Sequence, residues 1–316
     1  MPLRLPRTLW TLLFLFVMLP GCGVLTDFVH DTELQINLLN NPTFVSPAKL
    51  KLGVLPFEDQ VGLNNPDVGP KLAILISEEF ANNKNLVVVP PEQVRAYVES
   101  HNIVWPLTSE ESIRICRDLN LNVIVEGFIS HVGTGEIRSG WRKLLRWVTS
   151  QQRYVETILA LKAYSGTNGL VITSRSSDSR TNLGDADDPE LEAMDTTTAP
   201  AQESIEESVD QTITALYFRA LDGLKNVPFT AFVTALDGNN AIINFGTEVN
   251  LKEDWIFVVF TYEEEYYHQV TQQTYRIPGA PKAHLKVISV EPGHSVLQVL
   301  DGTVEIGDVV QYWVED

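Results

Sequence analysis

Few side chains in this sequence combine a reactive type with a spacing that supports chemistry. The sequence lacks the G-x-S-x-G, H-E-x-x-H, P-loop and G-x-G-x-x-G patterns of nucleophile elbows, zinc proteases, phosphate loops and dinucleotide sites. The histidines, none of which pairs with another at metal-ligand spacing, are His30, His101, His131, His268, His284 and His294. The sequence therefore predicts no catalytic residue, no metal and no cofactor, and a protein that is not an enzyme.

Two further features are candidates for chemistry. Glu58 and Asp59 follow the first predicted strand, where α/β sheets often bind ligands. A solvated turn is the alternative and the favoured interpretation of this pair. Cys116 lies in an apolar helical pattern, which predicts a small buried core residue rather than a nucleophile. With Cys22 as the only other cysteine, neither a disulfide framework nor a thiolate zinc site can form.

The N-terminal segment has the layout of a targeting signal. Arg4 and Arg7 precede the apolar stretch 9–19 (LWTLLFLFVML), which is too short to span a bilayer. The stretch ends in Leu19-Pro20-Gly21-Cys22, which resembles a bacterial lipobox. An ordinary secretory signal with an incidental cysteine is the alternative.

The lipobox resemblance implies a lipid anchor on Cys22. In lipoproteins of this kind, diacylglycerol is attached to the thiol, the chain is cut before the cysteine and the new amine is acylated. Two or more acyl chains attach a protein stably to a membrane. Gly23 stands where an Asp retains lipoproteins at the inner membrane in enteric-type sorting. The resemblance therefore implies the outer membrane, with the protein facing the periplasm.

Length and composition indicate a folded protein of about two domains. The chain has 316 residues, of which 44% are hydrophobic and 20% charged. Its formal net charge of −18 makes nucleic acid a poor partner, because phosphate binding requires a basic surface. We expect residues 1–21 to be a signal peptide and residues 22–48 to be a lipidated tether. The Asn-Pro and Ser-Pro pairs of that tether break regular structure.

Periodicity in residues 49–227 predicts an α/β domain. Aliphatic runs indicate strands at 50–57, 86–89, 122–132, 154–165 and 169–177. Apolar residues at helical spacing, with capping residues, predict helices at 69–82, about 91–101, 108–119 and 204–225. We therefore expect a mixed sheet with helices on its faces.

The pattern changes after Pro228. Short strands separated by Gly, Asn and Asp replace the helical periodicity, which predicts a small antiparallel, SH3-like barrel over residues 228–316. Before the last predicted strand, Gly307 and Asp308 should supply a turn residue with positive φ and a side chain that caps the turn.

The α/β part resembles the CsgG/TolB-N superfamily. Gly53-Val54-Leu55-Pro56-Phe57 is similar to its opening strand, Val123-Ile124-Val125-Glu126-Gly127 to its central strand, and residues 163–171 (AYSGTNGLV) to its hairpin. The family's acidic hairpin residues are replaced here by Ser165 and Asn168.

The C-terminal part resembles the barrel that ends flagellar assembly protein T. The similarity rests on Asn244-Phe245-Gly246, Val249, Trp255 and the closing Gly307-Asp308-Val309-Val310. Glu253-Asp254 stands where that family usually has Gly-Asp. Such barrels usually bind partners rather than metabolites.

Residues 133–153 form a basic insertion with five basic residues against one acidic residue. Within it, residues 137–149 place apolar side chains at helical spacing, and a basic amphipathic helix with Trp is typical of a membrane or partner surface. A helix that covers its own sheet is the alternative. The residues of the predicted surface are Arg138, Trp141, Arg142, Lys143, Arg146 and Trp147.

A second, acidic insertion precedes the long helix. Between Ser176 and Asp210 there are eleven acidic residues and one arginine, which predicts a disordered loop at about 178–203. In the curli channel, these two insertion positions carry membrane hairpins that need roughly 9–11 alternating residues per strand. Since neither insertion alternates, we expect the periplasmic half of that fold without its pore.

A tyrosine-rich stretch, residues 261–276 (TYEEEYYHQVTQQTYR), predicts a polar hairpin that contacts a partner. An ordinary long hairpin is the alternative. The tyrosines concerned are Tyr262, Tyr266, Tyr267 and Tyr275.

Together these features predict an outer-membrane lipoprotein that assembles or scaffolds an envelope machine. By resemblance, that machine is flagellar or secretory, and the partners are periplasmic or outer-membrane proteins, with a homo-oligomer as an option. The alternatives are a regulator that binds a peptidoglycan synthase and a curli-type secretion channel component. The short tether argues against the regulator, which must cross the cell wall.

Overall fold

The computed structural model describes residues 44–63, 65–137, 152–185, 199–260, 264–268, 273–277 and 279–313. All of these residues belong to one compact unit, Thr43–Asp316. No helix within the described ranges is both long and apolar enough to cross a membrane.

The first part of the unit is a mixed sheet. Its strands are β1 (Leu50–Val54), β2 (Glu58–Asp59), β3 (Leu86–Val88), β4 (Val123–Ile137), β5 (Gln152–Ser165) and β6 (Val171–Asp185). The strand order is β3-β1-β4-β5-β6, and β2 pairs with β4 beyond the end of β1. β3, β1, β2 and β4 pair in parallel, whereas β4, β5 and β6 pair antiparallel. The predicted mixed α/β sheet is confirmed.

In the described part of the chain, four helices cover this sheet. They are α1 (Val68–Ala81), α2 (Pro91–His101), α3 (Ser109–Asp118) and α4 (Ala199–Leu224). α1 and α4 bury their apolar faces in the larger core, while α2 and α3 enclose a smaller one around Leu55, Ile115 and Tyr164. α3 begins with a reciprocal cap, in which Thr108 Oγ1 accepts the Glu111 N–H and Glu111 accepts the Thr108 N–H.

Two predicted boundaries were wrong because the strands are longer than their apolar cores. The acidic loop predicted at about 178–203 loses both ends, since β6 continues to Asp185 and α4 begins at Ala199. The basic insertion predicted at 133–153 likewise contributes residues 133–137 to β4 and 152–153 to β5. Ladder hydrogen bonds and α4 stabilise these polar strand residues. Residues 138–151 and 186–198 lie outside the described residues.

The second part is a closed, six-stranded antiparallel barrel, as expected. The strands of this part are β7 (Thr230–Asp237), β8 (Asn240–Ile243), β9 (Ile256–Phe260), β10 (Glu264–His268), β11 (Gln273–Ile277), β12 (Pro281–Glu291), β13 (His294–Gly302) and β14 (Val309–Tyr312). Six of them close into the barrel in the order β12-β13-β8-β7-β14-β9. The other two, β10 and β11, form a hairpin that lies in the chain between β9 and β12.

The sheet and the barrel share one hydrophobic core. It continues from Leu50 and Val123 in the sheet to Phe229, Phe257 and Val310 in the barrel. Aromatic rings mark the barrel side, where Phe229 meets Phe257 edge to face at a centroid distance of 6.2 Å. The two parts therefore do not have separate cores.

A buried asparagine joins the two parts by hydrogen bonds. The Oδ1 atom of Asn122 accepts the backbone N–H of Lys51 at 2.8 Å. Its Nδ2 donates to the carbonyl of Thr230, at the start of β7, at 2.6 Å. Only 2% of the residue is exposed, so an amide that both accepts and donates is needed here.

The substitution Asn122→Asp should destabilise the whole unit. The carboxylate keeps the bond from Lys51 but turns an oxygen toward the carbonyl of Thr230, where burial prevents water from compensating. We expect a loss of about 3 kcal/mol in the free energy of unfolding, measured in urea. Asn168→Asp is the matched control, since Asn168 only accepts, from the Leu170 N–H, and should change stability by under about 0.5 kcal/mol. Equal losses in both variants would contradict the role of Asn122.

Candidate functional site

Most of the sequence-predicted surface residues lie outside the described residues. These are Cys22, Tyr262 and the basic set Arg138, Trp141, Arg142, Lys143, Arg146 and Trp147. The structure does describe the strand residues that come directly before and after the basic segment. Ile137 pairs with Gln152, and Gln152 pairs with Asp185. The connections that carry the basic and the acidic segments therefore leave from the same end of the sheet.

The barrel lies at the opposite end of β4. Asn122, which bonds to the barrel, directly precedes Val123, the first residue of β4. The first described residues lie there too, since Val45 N–H donates to Lys225 O and Lys49 N–H donates to Val249 O. The strand from Val123 to Ile137 spans about 45 Å at ~3.3 Å per residue. The point of attachment of the N-terminal segment and the end that carries the basic segment are thus about 45 Å apart.

The predicted tyrosine hairpin is present in the backbone. β10 and β11 pair with Tyr266 directly opposite Tyr275 and Tyr267 opposite Thr274. β11 passes beside α3, so the hairpin reaches from the barrel to the α/β part.

A groove of about 700 Å³ lies near this hairpin, between α3 and the barrel. That volume is within the usual range of ligand pockets, roughly 300–1,000 Å³. Ile113 and Arg117 of α3 line one wall. Phe232, Phe260 and the turn before β14 line the other wall. Both parts of the unit are therefore needed to build the groove.

The turn at the rim of the groove is held by several contacts. Gly307 has φ +94°, and its N–H donates to the Val233 carbonyl at 2.8 Å. The Asp308 carboxylate accepts the Glu305 N–H at 2.7 Å, so the predicted turn glycine and capping aspartate are confirmed. Ile306, between these anchors, is 66% exposed. A large apolar side chain is thus presented to solvent by a fixed turn.

The charges of the groove are largely paired within the protein. Lys282, from β12, donates to both carboxylate oxygens of Asp308, at 2.9 and 3.1 Å. Both side chains of this pair are only 14% exposed, whereas Glu305, 3.8 Å from Lys282, is mostly exposed. Arg117 lies on the facing wall. Within the described residues, the ion pair given for Arg117 is with Asp118, at 3.6 Å. The groove therefore offers apolar contacts flanked by one acidic and one basic side chain.

Glu58 and Asp59 have structural roles. They form β2, and Asp59 Oδ1 accepts the N–H groups of Val61 and Gly62, which closes a turn. Phe57 packs so closely on β4 that a Cβ at Gly127 would lie 2.4 Å from its ring. The favoured interpretation, a turn, is therefore the one that the structure supports.

The titratable group that the sequence analysis missed is Glu126. It is fully buried in β4, accepts the Leu107 N–H at 2.7 Å and accepts the Tyr164 hydroxyl at 2.7 Å. Burial raises its pKa, against the lowering effects of these two hydrogen bonds and of Lys162. The sequence signal for this residue is an acidic side chain inside an otherwise apolar strand. In the structure, the Glu126 carboxyl holds the loop before α3 against the sheet.

Cys116 is fully buried, as predicted, and burial raises the pKa of its thiol, which keeps it protonated and inert. Within the described ranges, no group of three or more His, Cys, Asp or Glu residues is placed to hold a metal ion.

Comparison with known proteins gives structural similarities only. No protein-family model and no curated protein matches the chain. Among solved structures, the hypothetical protein CT253 from Chlamydia trachomatis is 11% identical with a TM-score of 0.37, covering 56% of this chain and 98% of its own. Lipoprotein GNA1162 from Neisseria meningitidis is 12% identical with a TM-score of 0.31, covering 51% of this chain and 96% of its own. The LpoB C-terminal domain from Salmonella enterica is 15% identical with a TM-score of 0.27, covering 46% and 90%.

The buried carboxyl of Glu126 should make stability depend on pH. Because its pKa is raised in the folded protein, its stabilising effect is complete below the ordinary value near 4.5. That effect is lost as the pH rises through the folded-state pKa. Glu126→Gln keeps an acceptor for Leu107 and can donate to Tyr164. We therefore expect it to gain stability relative to wild type as the pH rises, by about 1.4 kcal/mol per pH unit within that window.

Urea unfolding of both proteins between pH 4 and 8 measures this difference. Glu99→Gln, on the exposed side of α2, controls for the removal of one acidic side chain. A difference between wild type and Glu126→Gln that does not change with pH would contradict the effect of burial.

Proposed function

We propose that this protein is a non-enzymatic outer-membrane lipoprotein that faces the periplasm and scaffolds the assembly of an envelope machine. The lipobox-like Leu19-Pro20-Gly21-Cys22 supports the anchor, and Gly23 supports the outer membrane. In this proposal, the α/β part has a CsgG/TolB-N-like fold. The barrel is SH3-like and is related to the barrel of flagellar assembly protein T. A flagellar basal-body or secretion machine is the assembly that these resemblances favour.

The observation that carries the proposal is the groove between α3 and the barrel. Scaffold proteins need a preformed surface on which a partner buries apolar area. Ile306 is two-thirds exposed on a turn that Gly307, Asp308 and Lys282 hold in place. A fixed, protruding apolar side chain beside a groove is suited to bind a protein partner, because little conformational entropy is lost on binding.

The basic segment is proposed as a second contact surface, for the membrane. It connects to the sheet about 45 Å from the barrel end, whereas a flexible coil of 23 residues, the number from Cys22 to Phe44, would span roughly 25 Å. The domain must therefore lie along the membrane if the basic segment is to reach anionic lipid. If the domain instead stands away from the membrane, the basic segment would contact an acidic protein partner.

Replacing Ile306 should weaken binding of the partner without affecting the fold. We expect Ile306→Asp to lower recovery of the partner about tenfold, since burying such a side chain contributes about 1.5–3 kcal/mol. The measurement is photo-crosslinking and pull-down from native envelopes. Ile288→Asp is the matched control, since Ile288 is also exposed, at 42%, but lies on β12 away from the groove.

The identity of the crosslinked protein distinguishes the candidate functions. A flagellar or secretion component supports the proposal. A peptidoglycan synthase would favour the regulator, and a ring of copies of this chain would favour the channel component. If Ile306→Asp and Ile288→Asp recover equal amounts of the partner, the groove is not the surface that binds it.

The anchor is tested by Cys22→Ala. We expect this variant to remain uncleaved or to leave the membrane fraction, because the thiol that receives the diacylglycerol is missing. Mass spectrometry of the wild-type N-terminal peptide should show a lipid adduct on Cys22. An unmodified thiol, or cleavage elsewhere, would contradict the anchor.

The basic segment is tested on the mature chain that lacks the lipid. We expect this chain to float with anionic vesicles at low salt and to lose binding as salt screens its charges. Arg142→Glu, Lys143→Glu and Arg146→Glu together should abolish flotation. The control is Lys71→Glu, Arg95→Glu and Arg114→Glu, which changes the net charge equally at exposed sites on α1, α2 and α3. Flotation by neither wild type nor variant would exclude the membrane contact.

A further inference from the structure

The last strand of the sheet has a long unpaired edge. β6 runs over 15 residues, and within the described part of the chain no strand pairs with its outer side. An exposed strand edge is a template on which another chain can add a strand. The opposite edge, β3, has three residues and is followed by Pro90-Pro91, which lack N–H donors. Of the two edges of the described sheet, only β6 therefore offers a long template.

The hydrogen-bond alternation of the sheet shows which groups of β6 face outward. In a parallel ladder, the N–H and C=O of one residue point to the same neighbouring strand. Leu55 N–H donates to the Val125 carbonyl, so Val125 faces the β1 side and the next residue, Glu126, faces β5. The partner of Glu126 in the β5 ladder is Lys162, which therefore faces β4.

The alternation continues from β5 to β6. Leu161, next to Lys162, faces β6, where its ladder partner is Arg175. The backbone of Arg175 is thus paired with β5. The backbone groups of Ser174 and Ser176, its two neighbours, point outward from the edge.

Two arginine side chains occupy these outward carbonyls. Arg175 Nη1 donates to the Ser174 carbonyl at 3.1 Å. Arg219, on α4, places its Nη1 against the Ser176 carbonyl, to which it donates a hydrogen bond. A hydrogen bond from a guanidinium group is charge-assisted, and such bonds are about twice as strong as neutral ones.

We propose that Arg175 and Arg219 close the outer edge of β6 against a strand from a second copy of this chain. An added strand must bring its N–H groups to the carbonyls of Ser174 and Ser176, where the guanidinium groups of Arg175 and Arg219 already lie and would have to move aside. In an antiparallel β6–β6 pair, each copy would also bring its own two arginines to the same seam, where like charges repel. Any assembly of several copies therefore uses a surface other than β6. This inference does not rest on the proposed function.

Removing the guanidinium groups of Arg175 and Arg219 should allow β6 of one copy to pair with β6 of another. The test uses the full mature chain in density-matched detergent and measures its mass by sedimentation velocity over a range of concentrations. We expect Arg175→Met with Arg219→Met to raise the weight-average mass with concentration toward twice the monomer value, while wild type stays constant. Arg95→Met is the matched control, since Arg95 lies on α2 and pairs with Glu99.

A proline substitution identifies the edge itself as the contact. The Ser176 N–H faces outward, so Ser176→Pro leaves the β5 ladder intact but blocks strand addition. Added to the double variant, it should restore the constant mass. Should the double variant lose its cooperative melting, the single variant Arg175→Met, which leaves α4 untouched, replaces it.

Two results would overturn the proposal. One is a folded variant whose mass stays constant like that of wild type. The other is a wild type that self-associates and becomes monomeric on Ser176→Pro alone.

Discussion

The buried amide of Asn122 hydrogen-bonds the sheet to the barrel, and the rest of the structure depends on how these two parts are joined. It accepts from Lys51, at the start of the sheet, and donates to Thr230, at the start of the barrel. Asn244 repeats the arrangement, because it accepts the Phe232 N–H and donates to Asn120. An uncharged amide carries its acceptor and its donors on two separate atoms, which suits asparagine to bridge an N–H and a carbonyl at the junction.

Several features of the molecule depend on this junction. The shared core is continuous only because the barrel is held against the open ends of β1 and β4. The groove has one wall from α3 and one from the barrel, so its width is set by how the two parts are joined. The turn that carries Ile306 is held by Val233 and Lys282 inside the barrel. A change at the junction would therefore alter the groove without touching any of its lining residues.

The strongly acidic chain keeps most of its charge out of its core. Among the described residues, Glu126 is the exception, and it is buried with two hydrogen-bond donors, which is the usual condition for a buried carboxyl. At the end of the sheet far from the barrel, charged side chains lie within the strands and pair with each other across them. Glu156 in β5 accepts from Arg180 in β6 at 2.7 Å, so the long strands remain paired beyond the apolar core. Polar ladders of this kind extend a sheet without a hydrophobic signal in its sequence.

Local patterns in the sequence were enough for elements whose cause is local. The capping pair Thr108 and Glu111, the turn at Gly307 and Asp308, and the burial of Cys116 all follow from neighbours within a few residues. The apolar periodicity also predicted the mixed sheet and the barrel, because each strand or helix needs its own buried face. Composition alone did not predict the ends of β4 and β6, since polar strand residues are stabilised by ladder partners that are distant in sequence.

Contacts between residues that are distant in sequence follow from the folded structure and not from local patterns. The bond between Asn122 and Thr230 joins positions 108 residues apart, and that between Arg219 and Ser176 joins positions 43 apart. Neither asparagine nor arginine signals such a partner in its own neighbourhood. The groove has the same origin, because Ile113 and Phe260 become neighbours only when the barrel packs beside α3. Sequence periodicity reports which face of an element is buried, but it carries no information about which distant element will cover that face.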